Sequence, residues 1–587
     1  MRRRRNIIEL FLIVLWGGIL FKLFSVQILN WRHYQRMAAV QHFTKVKLLG
    51  ERGKIYDRKG RVLALNRSCT SIRILPKWVR DKDRLATLLA DFGLGTFSAN
   101  RDFLARDKGL FLFKRYIDYN TGDSLRKVLV KERFHNATLV NDDYERLYPY
   151  GEFCADVVGF VGDEGCGLAG LEWAFNSLLA GKPGWVMMQK DAIGYSYPYP
   201  NHPTKPPEEG AELHLTIDAD IQQVCYEALK KGVNETEALR GSVVVLDSSG
   251  AILAIVDYPG YDPNRFFDYS AELYKANAVT DQFEPGSSFK LVMCAAALES
   301  ADSERFTGRV YDVSSGFISI GNRKIKDVHP NGVLTFDSVF INSSNLGCAL
   351  MSFDMDPEFY YSVARRLGFG EPIGVGLPNE GRGKLDSPKK LHNRLRFATI
   401  SFGQGVTVTL LQLAAAYLCI ARDGEYVKPY LVDSIKKGNR VILKQDRRET
   451  RQAVRTQTAE RVKGILRRVV EHGTGKLAAI ANVSVCGKTG TAQKVEPWGG
   501  YSSVRSLMTF IGFFPIERPR YCIAVLIDEP KRARFAAGAA CPVFKEIGER
   551  LLLKDRIELA VDNWAKEEVL GKVGFVESGE ENGKTAF

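Results

Sequence analysis

Glu284-Pro-Gly-Ser-Ser-Phe-Lys290 breaks the chain with Pro-Gly and runs straight into the apolar segment Leu291 to Leu298. That segment contains no Gly or Pro and reads as a buried helix starting near Ser287. Ser287 and Lys290 are three residues apart, so they share a helix face and their hydroxyl and amine can meet. An amine at the edge of so apolar a helix is partly desolvated, which disfavours its charged form and lowers its pKa. A serine beside such an amine is a nucleophile with its base. Taken alone, the same pattern also describes an ordinary helix start capped by a serine.

Two further motifs decide between these readings. Ser343-Ser-Asn345 supplies S-x-N, and Lys488-Thr-Gly-Thr491 supplies K-T-G followed by threonine. Each is common by itself, the first as a turn and the second as a strand end. In this order and rough spacing, they match the signature set of the penicillin-recognising serine acyltransferases. Gly241 to Val256 is two β-branched runs around Asp247-Ser-Ser-Gly250, a hairpin by pattern. Strand-like runs Leu507 to Phe514 and Tyr521 to Ile527, with the K-T-G strand, bring the expected number of strands to five.

The segments around the motifs carry a resemblance. Tyr258-Pro-Gly-Tyr-Asp-Pro-Asn264, Asn277-Ala-Val-Thr-Asp281, Phe369-Gly-Glu-Pro372, Gly403-Gln-Gly405, Gln412-Leu-Ala414 and Ile527-Asp-Glu-Pro530 flank the three motifs. This succession resembles the transpeptidase domain of class B penicillin-binding proteins, which cross-link bacterial peptidoglycan. Upstream, Arg52-Gly-Lys-Ile-Tyr-Asp-Arg58, Leu147-Tyr-Pro149, Gly170-Leu-Glu172 and Gly181-Lys-Pro-Gly184 look like that family's non-catalytic pedestal.

At 587 residues the chain is too long for one core. Its hydrophobic content of 45% and charged content of 26% are those of a globular protein. The N-terminus reads Met-Arg-Arg-Arg-Arg, followed by a mostly apolar stretch from Ile7 to Leu29. As a helix that stretch is about 34 Å long, enough to span a bilayer. Arginines ahead of it imply a cytoplasmic N-terminus with the remainder outside the membrane. No small-x-small cleavage site follows Phe21, which argues against a cleaved signal peptide. Leu410 to Ile420 is apolar but short and contains Gln412, so a core helix is expected there. Lys22 and Gln27 are polar within the span, which suits either snorkelling or a partner helix.

The net charge of +14, from 82 basic and 68 acidic residues, is dispersed. With no nucleic-acid motif in view, anionic lipid and wall carboxylates are the expected counter-charges, and no nucleic-acid partner is expected. Most of the ten cysteines sit in apolar runs, as small core residues do. Only Cys154 and Cys166, flanking Gly-rich turns, look placed for a disulfide. No C-x-x-C occurs, and neither metal nor cofactor is expected.

The expected organisation is a cytoplasmic N-terminus (1–6), a transmembrane helix (7–29), a mixed pedestal (30–209), a transpeptidase domain (210–552) and a C-terminal helix with a disordered tail (553–587). The pedestal closes on the proline-rich stretch Tyr197 to Pro207, and the tail begins near Gly571. The fold class is α/β in the α+β sense, and the family resemblance implies a five-stranded antiparallel sheet between helices.

The resemblance also implies roles. Ser287, Lys290 and Ser343 are the catalytic residues; Asn345, Lys488, Thr489, Gly490 and Thr491 bind substrate. Strict strand alternation puts Thr489 and Thr491 on one face and Lys488 on the other, unless Gly487 and Gly490 permit a twist. Implied partners are peptidoglycan stem peptides, β-lactams, a membrane-embedded glycan polymerase and other division proteins. His472-Gly-Thr-Gly-Lys-Leu-Ala478, Thr489 and Arg505 to Pro515 resemble the division (FtsI-like) branch. An elongation-type transpeptidase and a catalytically inert division scaffold stay open beside it. A β-lactamase would not need a membrane span and a pedestal, and a penicillin sensor would need a cytoplasmic signalling domain.

Overall fold

The structure, a computed structural model, describes residues 2–106, 109–190, 196–198, 204–328, 330–445, 449–496 and 498–577. The chain forms two compact units: 1–53, 68–145 and 180–211 in the first, and 54–67, 146–179 and 212–587 in the second. Residues 199–203 of the proline-rich stretch, and the last ten residues of the expected tail, lie outside the described residues.

The first unit begins with helix α1 (Arg2–Phe24), which continues as a single π-turn, Ser25–Leu29. Among the described residues, Arg4–Leu29 is the one helix both long and apolar enough to cross a membrane. Farther on, strand Phe43–Leu48 pairs with Gly184–Lys190. Three helices, Lys82–Asp91, Phe97–Leu104 and Tyr119–Lys131, contribute to a separate apolar core that includes Ile72, Leu85, Leu89, Leu125 and Leu129.

The second unit is centred on a five-stranded sheet. The strands of that sheet and the main helices around it are α2 (Ala219–Thr236), β1 (Arg240–Asp247), β2 (Ile252–Tyr258), α3 (Lys290–Glu299), α4 (Asn345–Ser352), α5 (Leu410–Ala421), α6 (Thr456–Glu471), β3 (Cys486–Val495), β4 (Tyr501–Phe514), β5 (Tyr521–Asp528) and α7 (Ala536–Glu577). The strands run in the order β2-β1-β5-β4-β3, every pair antiparallel. The five expected strands are therefore the sheet. Val243 and Val245 of β1 and Ile523 and Val525 of β5 share a core with Leu229 of α2 and with Val543, Phe544 and Ile547 of α7. Successive side chains alternate between faces, so Val244 and Leu246 point to the opposite side, against α5. Cover on both faces explains why β1 and β5 are apolar runs with no polar alternation.

All twelve residues of α5 are buried, as its reading as a core helix requires. Gln412 belongs there because it closes a capping box: its Oε1 accepts from Thr409 N at 3.0 Å, and Thr409 Oγ1 accepts from Gln412 N at 3.2 Å. Its Nε2 donates to the carbonyls of Glu371 (2.8 Å) and Arg382 (3.0 Å), so no polar atom of this buried amide is wasted.

Residues 54–67 and 146–179 fall inside the expected 30–209 pedestal but pack with the second unit. Asp57 accepts from Arg61 Nε at 2.7 Å and from Ala219 N, at the start of α2, at 3.3 Å. Arg146 and Glu172 form a buried ion pair at 2.7 Å, and Gln222 of α2 donates to Phe153 O at 2.8 Å. Cys154 and Cys166 are not bridged: Cys154 is buried beside α2, Cys166 sits exposed in its turn, and both are free thiols. Helix α7 runs to Glu577, past Gly571 where the tail was expected.

Leu413, fully buried in α5, tests this packing. Leu413→Ala is expected to cost about 2–5 kcal/mol, read as a lowered denaturant midpoint, whereas an exposed change such as Leu553→Ala should stay within about 0.5 kcal/mol.

Candidate active site

The nucleophile motif folds as a tight 3₁₀ turn, Gly286–Phe289, feeding α3. Pro285 sets the turn and Gly286 follows at φ +51°. Ser288 Oγ donates to Pro285 O at 2.7 Å, and Tyr417 of α5 donates from beneath to Ser288 O at 2.9 Å. Phe289 is buried edge-on to Phe369, with centroids 4.9 Å apart. Glu284 Oε1 accepts from Gly405 N at 2.8 Å, and Gly286 N donates to Gly403 O at 3.1 Å. The Gly-Gln-Gly segment thus braces the turn from behind. A Cβ on Gly403, itself at φ +87°, would lie 2.0 Å from Gly286 O, so only glycine fits.

Ser287 is half-buried at the wall of a groove of about 2230 Å³. Lys290, one helical turn on, is fully buried. Lys290 Nζ donates to Ser343 O (2.6 Å), Asn345 Oδ1 (2.8 Å) and Ser343 Oγ (3.2 Å). Burial pulls the Lys290 ammonium down to about 8, against the opposing effects of Cys348 and Asp327.

Ser343 and Asn345 reach this amine from the turn before α4. Ser343 adopts a left-handed conformation at φ +57°, uncommon for a residue with a Cβ. Ser344 is the N-cap of α4, its Oγ accepting from Gly347 N at 2.9 Å. Asn345 spends one amide N–H on Lys326 O at 3.2 Å, leaving the other donor for a ligand.

Strand β3 forms the edge of the sheet and the other side of the site. Its pairing with β4 is regular from Cys486 to Gln493, so Gly487 and Gly490 introduce no bulge there. Lys488 reaches the centre through the length of its side chain: Nζ donates to Ser343 Oγ at 2.9 Å and to Thr489 O at 3.1 Å. Its pKa is driven well below that of an ordinary lysine, first by burial and then by the Lys290 charge. Ser343 Oγ therefore sits between two buried amines. Two ammonium ions on one hydroxyl, in so dry a place, repel strongly, which opposes double protonation.

The glycines of β3 serve close approach instead. A Cβ on Gly490 would lie 2.4 Å from Thr509 Oγ1 and 2.8 Å from Pro285 O, so β3 and the nucleophile turn touch backbone to backbone. The Thr491 carbonyl comes within 2.8 Å of the Cβ position of Gly286, and so points outward to that turn. An antiparallel residue directs its N–H and C=O to the same side, so the Thr491 N–H faces the turn as well. Thr489 and Thr491 both line the groove, as strand parity predicts. Thr489 Oγ1 is 2.6 Å from Thr474 Oγ1, and Thr491 Oγ1 accepts from Ala536 N, where α7 starts, at 3.4 Å.

All eight residues singled out in the sequence thus meet around one groove or directly beneath it. Tyr417 and Thr474 were not anticipated as part of it. Tyr417 is one more aromatic in an apolar helix, and Thr474 lies in the Gly-rich segment after α6, whose only signal was the Gly-Thr-Gly pattern.

A groove serine backed by a desolvated amine, on an antiparallel sheet packed between helices, is the arrangement of the penicillin-recognising serine acyltransferases. The chain belongs to the class B penicillin-binding proteins: a penicillin binding protein transpeptidase domain matches residues 241–549, and a penicillin-binding protein dimerisation domain matches 47–215. It is similar to the probable peptidoglycan D,D-transpeptidase PenA of Neisseria meningitidis, with 31% identity over 91% of this chain and 90% of the relative. It is equally similar to the peptidoglycan D,D-transpeptidase FtsI homolog of Mesostigma viride, at 31% over 91% and 93%. Stage V sporulation protein D of Bacillus subtilis is 29% identical over 85% and 77%. Among solved structures, penicillin binding protein 3 of Mycobacterium tuberculosis complexed with aztreonam aligns with a TM-score of 0.67 and 27% identity, covering 87% of this chain and 98% of that one.

Gly490→Ala tests the backbone contact. The added methyl meets a carbonyl that cannot move aside cheaply, so β3 should shift from the nucleophile turn. Labelling by a fluorescent penicillin is expected to slow about 10–100-fold, with the melting temperature little changed.

Proposed function

We propose that this protein is a peptidoglycan D,D-transpeptidase that works through an acyl-enzyme on Ser287, held at the cytoplasmic membrane by α1 and used in septal wall synthesis. The observation that supports the chemistry best is the burial of Lys290 against Ser343 and Asn345, which favours its neutral form. A neutral amine takes the Ser287 proton as Oγ attacks the penultimate D-Ala carbonyl of a stem peptide. At a pKa of about 8 roughly one lysine in ten is neutral at pH 7, against about one in three thousand at an ordinary lysine pKa. Ser343, between the two amines, passes the proton on to the leaving D-Ala. The N–H groups of Ser287 and Thr491 receive the oxyanion, whose charge develops only in the transition state.

Lys488, Thr489 and Thr491 take the terminal carboxylate of the donor, and the free N–H of Asn345 holds its peptide bond. An amine from a second stem then attacks the acyl-enzyme and releases Ser287 with a new cross-link. Attack by water gives carboxypeptidation instead. β-Lactams, which mimic the acyl donor, should acylate the same serine.

The Arg-rich start supports a cytoplasmic N-terminus, with the chain after residue 29 outside the membrane. The expected boundaries, 30–209 for the pedestal and 210–552 for the transpeptidase domain, remain our working division of function. Lys22 of α1 and Gln27 of the π-turn after it offer polar contacts for a polytopic glycan polymerase. The division assignment draws on the His472–Ala478 segment and on the relative named as an FtsI homolog; an elongation role would use the same chemistry.

Two experiments test this reading. Ser287→Ala should abolish covalent penicillin labelling in intact-mass analysis while the protein stays folded, and Lys290→Arg should be nearly as damaging because a guanidinium does not deprotonate. An adduct persisting in Ser287→Ala would mean a different nucleophile. Depletion of the protein should block septation while cell-body growth continues. Depleted cells that round up yet still divide would assign it to elongation.

A further inference from the structure

One carboxylate near the site belongs to none of the three motifs. Asp327 follows a two-stranded hairpin, Phe317–Ile320 paired with Arg323–Lys326, whose second strand lines the groove. Asp327 Oδ1 accepts from Asn345 N (2.5 Å) and Leu346 N (3.0 Å). Its Oδ2 accepts from Ser344 Oγ (2.7 Å) and Asn331 Nδ2 (3.1 Å). The neighbouring Lys326 carbonyl takes the Asn345 side-chain amide. The hairpin end therefore grips every residue from Ser344 to Leu346, starting immediately after Ser343.

Ser343 needs such a grip. Its left-handed backbone costs of order 1 kcal/mol for a residue with a Cβ, and it persists only where the surroundings hold it. Three of the bonds to Asp327 come from groups at the start of α4, whose amides lack intrahelical acceptors. A carboxylate there is also favoured by the helix dipole. We propose that Asp327 is a positioning residue: from the groove-lining hairpin it fixes the Ser343-Ser344-Asn345 turn so that the Ser343 hydroxyl and Asn345 carbonyl meet the Lys290 amine.

Its charge adds a second, separable signature. The groups facing Lys290 are Cys348 from α4, Asp327 and, across Ser343 Oγ, Lys488 from β3, and the negative charge of Asp327 favours the ammonium form. Removing that charge lowers the Lys290 pKa further, so the neutral base persists to lower pH.

The inference rests on the acyl-enzyme reading and is tested with the full-length protein in detergent, by the rate of labelling with fluorescent penicillin across the neutral to alkaline range. Asp327→Ala leaves two backbone amides and a hydroxyl without their acceptor, and should slow acylation about 100-fold while initial penicillin affinity changes little. Asp327→Asn keeps an acceptor for the two amides. It should acylate within about tenfold of wild type and melt near the wild-type temperature, with the acid limb of its pH–rate profile displaced to lower pH. A folded Asp327→Ala that acylates at the wild-type rate overturns the proposal. So does an Asp327→Asn profile with its acid limb unmoved, whatever its rate, because a residue that only stabilised the loop would behave that way. If Asp327→Ala does not fold, the Asp327→Asn profile decides alone. A wild-type protein that fails to label at Ser287 would refute the acyl-enzyme reading itself.

Discussion

The catalytic unit is organised around keeping the Lys290 amine dry. A lysine in water holds its proton too tightly to serve as a base near neutrality, and burial is the lever that loosens it. Burial of a charge is expensive, so the site supplies neutral acceptors for the amine and places a second buried amine nearby. Lys290 and Lys488 approach one hydroxyl from opposite directions, at 3.2 and 2.9 Å. Each makes the protonation of the other less favourable. The left-handed backbone of Ser343 is what brings that hydroxyl between them.

This arrangement dictates the rest of the unit. The floor under Lys290 is α3, every residue of which from Lys290 to Ala297 is buried, and under the nucleophile turn lies α5, buried throughout. Tyr417 joins the two: its hydroxyl donates to Ser288 O, a carbonyl of the turn, from within the apolar helix. The edge strand β3 closes the site from the side, and glycine at 490 lets it approach to backbone contact. An interior strand would have its N–H and C=O groups occupied on both sides. As an edge, β3 keeps one row for the nucleophile turn and for a ligand.

Much of this was legible in the sequence. The strands β1, β2, β4 and β5 were readable as β-branched or apolar runs bounded by turn residues, and α5 as a core helix from its length. The three motifs were readable because short local patterns carry the chemistry of Ser287, Ser343 and Lys488. What was not legible depends on partners far apart in the chain. Asp57 joins the catalytic unit through Ala219, 162 residues away, and Phe153 through Gln222, 69 residues away, so the unit boundary could not be placed from composition. The route by which Lys488 reaches the groove stayed open in the sequence, because alternation fixes where a Cβ points and not how far a long side chain curls. Asp327, in a polar Lys-Asp-Val-His stretch, has the look of solvated surface; only the fold brings it beneath α4. Cys154 and Cys166 are close in sequence, yet one is buried and the other exposed.

The most direct measurement is the titration of Lys290 itself, followed by NMR of the side-chain carbon or nitrogen next to the charge, with Lys290→Met used to assign the signal. A midpoint near the value of about 8 that burial imposes, with the signal perturbed in Lys488→Met, is the expected result. A midpoint at the ordinary lysine value of about 10.4 would mean that the amine is charged throughout the working range, and would contradict its role as the base.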